Sequence, residues 1–459
     1  MKPLHTFSPK SSVQSITWPA LPSPSASMLL AVQFMFEQTQ WLQPEEIRKK
    51  QLIQLNEILH YARRHVPFYR KRLKRILKAN SRLDWQLWDN LPLLSRDDLQ
   101  KSGHSLLSAQ IPSQHGKKSK VSTSGSTGKP VTVWQTELTY FLWRAFTLRE
   151  HLWHRRNLNS KLAIIRFIGN NKAKAPNGLQ LPGWGPSTNN TFETGPSCIL
   201  DIKSTIEQQA TWLVKEQPHY ILTHPTNISA LAQYFQNNGK ELHNLKEIRT
   251  LSESLTPEIR KACFETWGVQ VIDMYTTREV GYIALQCPEH EHYHIQSENV
   301  LVEILDNDGS SCKPGEIGRV VVTSLNNFAS PLIRYDIGDY AEVGEPCSCG
   351  RGLPVINKIL GRVRNMLTFP TGEKIWPIFV YKEYRKAAPV DQAQFIQKDT
   401  NSIDAYFVAE RPLNNNEEIK LIEAVQESLG YPFQIKIVLV DEIPRTPGGK
   451  FEEFISLIN

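Results

Sequence analysis

Between residues 162 and 275 short apolar runs alternate with helical patterns, and this alternation limits the fold more than any other feature of the chain. Residues 162–165, Tyr220–Thr223, Glu247–Leu251 and 269–275 read as strands; Ile206–Glu216, 227–235 and Pro257–Trp267 read as helices between them. Strands separated by helices at this spacing form a mostly parallel sheet with covering helices. From 294 to 342 the pattern changes to short alternating strands with turn signals. Val300–Leu305 runs into Asp306-Asn307-Asp308-Gly309, a hairpin signature, and 318–323 reads as the return strand. An EF-hand reading of that turn fails, because the sixth position from Asp306 is Ser311 rather than glycine. After Gly361-Arg362 the periodicity resets, and the remainder reads as a small α+β unit. The expected fold class is therefore α/β: a large N-terminal domain of mainly parallel sheets with helices and an antiparallel, barrel-like part, followed by a small C-terminal unit.

The run Val121-Ser122-Thr123-Ser124-Gly125-Ser126-Thr127-Gly128-Lys129-Pro130 holds five hydroxyls, two glycines and one lysine in ten residues. Glycines let the backbone curl so that its N–H groups point inward, and hydroxyls add donors, which suits phosphate oxygens. It is not a Walker A loop, which needs glycine where Thr123 stands and Ser or Thr where Pro130 stands. A plain Ser/Gly linker is the alternative, but a linker needs neither Lys-Pro nor the strand-like Val131-Thr132-Val133-Trp134 that follows.

The length of 459 residues allows two or three domains, and 40% apolar with 22% charged residues describes an ordinary globular chain. The net charge of +7 is modest. Its densest part, residues 48–78, carries Leu52, Leu55, Ile58, Leu59 and Ala62 at helical spacing. That region reads as amphipathic helices with solvated basic faces rather than a nucleic-acid site. The run from Met28 to Phe36 is short for a membrane span, and Glu37-Gln38 follows where a signal peptide offers small residues, so it reads as a buried helix behind a loose Ser/Pro-rich arm. Six cysteines in a chain this long are no disulfide scaffold, and the cytoplasm is the expected compartment.

Four further segments follow the loop in order: Tyr275-Thr276-Thr277-Arg278-Glu279, Arg334-Tyr335-Asp336-Ile337-Gly338-Asp339, Gly361-Arg362-Val363-Arg364 and Pro444-Arg445-Thr446-Pro447-Gly448-Gly449-Lys450. Together they resemble the adenylate-forming superfamily of acyl-CoA synthetases, adenylation domains and luciferases. The phenylacetate–CoA ligase and coenzyme F390 synthetase branch is the most similar, through Pro331 to Asp339, Cys347-Ser348-Cys349-Gly350-Arg351 and His65-Val66-Pro67-Phe68-Tyr69. The resemblance implies an arm and first helix over 1–44, a large adenylate-forming domain over 45–360 and a mobile C-terminal lid over 361–459. It implies an AMP-forming acid–thiol ligase using ATP, Mg²⁺ and coenzyme A. Ser124, Gly125, Ser126, Thr127, Gly128 and Lys129 would handle the pyrophosphate side. Glu279 would bind magnesium, Tyr275 would offer an aromatic face to adenine, and Asp339 would accept from the ribose hydroxyls. Arg362 would touch ribose or phosphate. Lys450 would bridge the acid's carboxylate and the α-phosphate, and Glu253 would lie near adenine. Thr276 and Arg278 depart from the residues usual at their positions, and Arg364 stands where the hinge residue is usually Asp or Lys. Phe167, Gly169, His224 and Tyr282 are candidate pocket residues for the acid, whose identity no code reveals.

Cys287, His290, His292, His294, Cys347 and Cys349 cluster around the change from sheet to ribbon. A Cys-x-Cys pair with a further Cys and His is a complete set for tetrahedral zinc, and free thiols beside surface histidines are the alternative. The resemblance implies a structural zinc on Cys287, His294, Cys347 and Cys349. The expected partners are a small carboxylic acid and coenzyme A, with no nucleic acid and no membrane span; a dimer is compatible. An amine or carrier-protein acceptor, or a basic nucleic-acid- or membrane-associating protein on a decayed ligase scaffold, are the alternative functions.

Overall fold

The computed structural model describes residues 9–74, 76–77, 83–122, 130–169, 172–362, 365–377, 379, 381–446 and 449–458. The chain divides after Ile359 into two compact units. In the first, helices α1 (Pro24–Thr39), α2 (Pro44–His65), α3 (Tyr69–Arg72) and α4 (Arg96–Ser102) precede the hairpin β1 (Lys118–Ser122) and β2 (Thr132–Thr136). Then come α5 (Glu137–Trp153), β3 (Leu162–Arg166), β4 (Leu179–Leu181), β5 (Ser197–Asp201), α6 (Ile206–Glu216), β6 (Tyr220–Thr223), α7 (Pro225–Asn238), β7 (Glu247–Leu251), α8 (Pro257–Trp267) and β8 (Gln270–Thr277). The antiparallel series follows: β9 (Gly281–Gln286), β10 (Tyr293–Ile295), β11 (Val300–Leu305), β12 (Ile317–Ser324), β13 (Tyr335–Val343) and β14 (Val355–Arg362).

Twelve of these strands form one sheet in the order β11-β12-β13-β14-β10-β9-β8-β7-β6-β3-β5-β4. Strands β5, β3, β6, β7 and β8 are mutually parallel, as the strand–helix alternation requires. The antiparallel part is hydrogen-bonded edge to edge with them. Side chains alternate across the parallel strands. Ala163 and Ile165 pack with Trp212, Leu231 and Phe235 of α6 and α7, while Leu162 and Ile164 pack with Phe141 and Phe146 of α5. The helix ends follow local chemistry. Thr205 and Gln208 form a reciprocal capping box on α6, and α8 opens on Thr256-Pro257 and stops at Gly268, which has φ +67°. Helix α1 buries Ala26, Leu29, Gln33 and Phe36 but leaves Met28, Phe34 and Met35 exposed. The expected buried helix thus covers only one face, because α1 lies outside α5 as an outer layer. Among the described residues no helix is long and apolar enough to cross a membrane.

The second unit contains β15 (Leu367–Thr368), β16 (Lys374–Ile375), α9 (Tyr381–Ala387), β17 (Val390–Gln397), β18 (Ser402–Ala409), α10 (Asn415–Leu429), β19 (Gln434–Leu439) and β20 (Phe454–Ser456). Its four-stranded sheet runs β19-β18-β17-β20 around Phe395, Phe407, Leu421 and Val425.

A buried ionic cluster ties α5 to the parallel strands. Glu150 of α5 receives Arg156 at 2.5 Å and Arg249 of β7 at 2.5 Å. Burial opposes its charge, but Arg156 and Arg249 outweigh that and hold the carboxyl well below the usual range. The same enclosure acts on His154, where burial first and Arg156 second push the pKa down to about 3. The folded value lies below the unfolded one of about 6.5, so between them the unfolded chain binds the extra proton. Stability from His154 is therefore complete above about pH 6.5 and is lost as pH falls towards 3. We predict that denaturant midpoints fall between pH 7 and pH 5, and that His154→Gln flattens this slope by up to about 1.4 kcal/mol per pH unit. An unchanged slope in the variant would place the acid sensitivity elsewhere.

Candidate active site

In open α/β sheets ligands bind at the carboxyl ends of parallel strands. In this sheet those ends carry Arg166 on β3, Thr223 on β6, Leu251 on β7 and Thr277 on β8. Strand β8 turns into β9 through Arg278, Glu279 and Val280. Thr277 Oγ1 accepts from the Val280 N–H at 3.2 Å, and Gly281 takes φ +94°. This tight turn presents Glu279, and it also touches the mouth of the glycine-rich loop. The Arg278 guanidinium donates to the Ser122 carbonyl at 3.3 Å, and Gln135 Nε2 donates to the Arg278 carbonyl at 2.8 Å. Ser122 and Thr132 face each other across the hairpin, with their hydroxyls 2.9 Å apart. Ser124, Gly125, Ser126, Thr127, Gly128 and Lys129 lie outside the described residues.

Asp339 reaches this region through an irregularity. Strand β13 pairs Tyr340 with Arg319 and Asp336 with Val321, so Ile337, Gly338 and Asp339 oppose the single residue Val320. Gly338 supplies φ +79°, and its N–H donates to Asp336 Oδ1 at 2.9 Å. Such bulges re-aim side chains next to sites. Here the bulge aims Asp339 at β8, where the Tyr275 hydroxyl donates to Asp339 Oδ2 at 2.8 Å.

Glu253 follows Ser252, a non-glycine residue at φ +74°, directly after β7. Its Oε2 accepts from the Thr226 N–H at 3.1 Å and the Thr226 hydroxyl at 2.7 Å, at the first turn of α7. Glu253 therefore caps a helix whose own N-cap, His224, makes no side-chain cap bond. His224 instead donates through Nδ1 to the Leu251 carbonyl at 3.1 Å and fixes the loop after β7. Phe167 and Gly169 follow β3 on the same edge. Tyr282 is buried in the core against α5, its hydroxyl 3.0 Å from that of Thr147.

Arg334, within the segment that ends in Asp339, is structural. It is buried at φ +51° and donates to the carbonyls of Trp88 at 3.1 Å and Leu91 at 2.9 Å. It also pairs with Glu303 at 2.9 Å. Only a folded strand order reveals that role, because its partners are more than 30 residues away on one side and more than 240 on the other.

In the second unit, the Lys450 N–H donates to Thr446 Oγ1 at 3.1 Å, and the Thr446 N–H donates to the Lys450 carbonyl at 2.8 Å. Gly449 at φ +83° closes the turn. Arg362 is the last residue of β14; Val363 and the expected hinge residue Arg364 lie outside the described residues.

Cys287, His294, Cys347 and Cys349 meet, with ligand atoms all within 4.8 Å of one another. Neighbouring strands β9, β10 and β14 bring the three segments together. Cys287 follows β9, His294 lies in β10, and Cys347 and Cys349 lie in the connection leading into β14. The Cys287–Cys347 sulfurs are 3.8 Å apart, and Cys349 Sγ is 3.4 Å from His294 Nε2. A tetrahedron with arms of about 2.3 Å to sulfur has S···S edges of about 3.8 Å, so the Cys287–Cys347 edge matches zinc and the other two ligand atoms lie within about an ångström of such an edge. His294 Nδ1 donates to the Leu353 carbonyl at 3.4 Å, which leaves Nε2 as the ligand atom. The loop is anchored by Arg351, between Trp41 at 4.7 Å and Trp153 at 4.6 Å, and by Gly352, where an added Cβ would meet the Leu42 carbonyl at 1.8 Å. His290 and His292 stand outside the set.

Replacing Arg334 by Met would leave Glu303 enclosed without its guanidinium. We predict a loss of about 3–5 kcal/mol in denaturant unfolding, against less than about 1 kcal/mol for Asp89→Asn, whose side chain is 77% exposed. Equal effects of the two would assign Arg334 a surface role.

Residues 367–456 match the family described as the CapK C-terminal domain. Phenylacetate-coenzyme A ligase of Thermus thermophilus is 23% identical over 446 residues, which span 90% of this chain and 97% of that relative. Protein CapK of Staphylococcus aureus is 22% identical over 404 residues, 86% of each chain. Among solved structures, 2-hydroxyisobutyryl-CoA ligase in the postadenylation state, in complex with R3-HIB-AMP, has a TM-score of 0.68 over 92% of this chain and 91% of that one. At 17% identity that likeness is one of fold. The chain is thus similar along most of its length to a phenylacetate-coenzyme A ligase and to protein CapK, and it shares the fold of 2-hydroxyisobutyryl-CoA ligase.

Proposed function

We propose that this protein activates a carboxylic acid with ATP and then transfers the acyl group to coenzyme A. The observation that carries the reading is the Tyr275–Asp339 bond beside the Glu279 turn, at the carboxyl ends of parallel strands. Asp339 accepts from the ribose hydroxyls, and the Tyr275 ring sets the adenine plane. The Ser124-to-Lys129 loop receives the β- and γ-phosphates. Glu279 with phosphate oxygens would hold Mg²⁺, which offsets charge on the leaving pyrophosphate. An oxygen of the acid's carboxylate attacks the α-phosphorus, and the bond to pyrophosphate breaks. Lys450 bridges the two reacting anions and so lowers their repulsion; Arg362 contacts ribose or phosphate. In the second step the coenzyme A sulfur, having lost its proton, attacks the acyl carbon and AMP leaves. Glu253 shapes the nucleotide side indirectly by holding the start of α7.

The reading is tested by ATP–pyrophosphate exchange over aryl, aliphatic and amino acids, followed by assay of thioester with coenzyme A. Exchange without coenzyme A consumption would keep the adenylation and replace the acceptor by an amine or a carrier protein. Lys450→Ala should slow adenylation by on the order of 10²–10³, about 2.7–4 kcal/mol. Thioester formation from synthetic acyl-AMP should change much less. Equal losses in both steps would make Lys450 a folding residue.

We assign the Cys287–His294–Cys347–Cys349 set to a structural zinc. Four protein ligands leave no open coordination position, which supports a role in stability rather than catalysis. Elemental analysis should find about one zinc per chain. Cys349→Ser should lower Tm by roughly 5 °C or more before any kinetic constant moves. A metal-free preparation of unchanged stability would refute the assignment.

A further inference from the structure

Helix α1 packs on α5 with one side and leaves the other side apolar and open. Its buried residues Ala26, Leu29, Gln33 and Phe36 share one face, and Gln33 Nε2 donates to the Ala145 carbonyl of α5 at 2.8 Å. The opposite face carries Ser27, Met28, Ala31, Phe34, Met35 and Gln38, all exposed. With 3.6 residues per turn, these six fall within a sector of about 120°. Phe34, Met35 and Met28 are 65%, 56% and 52% exposed. Single exposed apolar residues are ordinary, but a continuous stripe on a helix already docked by its other face marks an interaction surface.

Three properties of the stripe decide what covers it. Met28, Ala31 and Met35 repeat at spacings of three and four, at which two helices pack side by side. Ala31, the smallest residue of the stripe, stands midway between Pro24 and Gln38, so two copies of the helix approach most closely there. A two-fold axis through Ala31 makes the helices antiparallel. Met28 then meets the partner's Phe34, a favourable sulfur–aromatic contact, and Ser27 meets the partner's Met35. Charge argues against a lipid surface. No Lys or Arg occurs between Lys10 and Arg48, while Glu37 lies in the last turn of α1 and Glu45 and Glu46 in the first turn of α2. Helices that lie on lipid headgroups carry Lys and Arg beside their apolar face, and α1 has none. The six exposed residues offer roughly 500 Å² per copy, so a pair buries about 1,000 Å², the lower end of specific interfaces.

We infer that two copies of this protein pair through α1, antiparallel about Ala31. An interface of this size forms a dimer in the micromolar range. The test is sedimentation velocity of the full chain from about 1 to 100 µM. The mean mass should rise from that of one chain towards twice that value. Phe34→Glu should raise the dissociation constant at least about tenfold and leave Tm unchanged, since the residue is exposed within a single copy. Ala31→Cys should give a disulfide-linked dimer with diamide as the oxidant. An axis through that residue brings its two copies within the roughly 4.4–6.8 Å between Cα atoms that a disulfide needs. Lys49→Cys, at an exposed position of α2, and the wild type are the controls. A single-chain mass throughout, a dimer that survives Phe34→Glu, or equal cross-linking from positions 31 and 49 overturns the inference. So does binding to phosphatidylglycerol vesicles that Phe34→Glu abolishes while the mass stays that of one chain, which makes the stripe a lipid-contacting face.

Discussion

The hydrogen bond from Tyr275 to Asp339 is possible only because the sheet curls. Strands β8 and β13 are separated by β9, β10 and β14, four spacings that would put them about 19 Å apart in a flat sheet. At 2.8 Å between side-chain oxygens, the antiparallel half must roll back over the parallel half. Strand twist favours such rolling, and apolar side chains fix it. Tyr275, Ile283, Ala284, Val300, Val322, Tyr335 and Ala341 all belong to one core cluster, on the inside of the roll. The bulge at Ile337–Gly338–Asp339 then lifts one carboxylate out of the ladder at the rim. The cluster of Cys287, His294, Cys347 and Cys349 sits at β10 and at the ends of β9 and β14, which span the bend, and Arg334 locks the segment leading into β13. The candidate site is therefore a product of long-range sheet geometry, held by interactions that take no part in chemistry.

Buried arginines tie distant elements of this molecule together. Arg149, Arg156, Arg249 and Arg334 are all nearly inaccessible, and each is paired with a carboxylate. The terminal nitrogens of Arg149 meet most of the cost of such placement: they donate to Gln296 at 2.9 Å, to Glu298 at 3.0 Å and to the Phe36 carbonyl at 3.2 Å, and so join α1, α5 and the loop before β11, while Nε is left without a partner. A buried guanidinium must be satisfied in this way, because losing one partner leaves a charge stranded at low dielectric.

Features set by neighbours in sequence were legible from the residues, and features set by sheet curvature were not. Helices α6 and α8 and strands β6, β7 and β11 have the bounds that their patterns imply, because capping residues and turn formers fix them locally. Parallel pairing of β3, β6, β7 and β8 follows from the same local alternation. The single curled sheet does not, since hydrophobic alternation is identical in a flat sheet and a rolled one. Three histidines at 290, 292 and 294 share one spacing, so spacing cannot choose among them; the choice falls to His294 because β10 begins at Tyr293 and holds only that histidine against Cys349. Glu253 shows the converse limit. Its motif suggests the nucleotide, yet its oxygen is occupied by Thr226, a residue whose part depends on how the starts of α7 and the end of β7 meet. Motif residues declare which chemistry a chain carries, but the packing of distant elements decides which of their atoms are left to perform it.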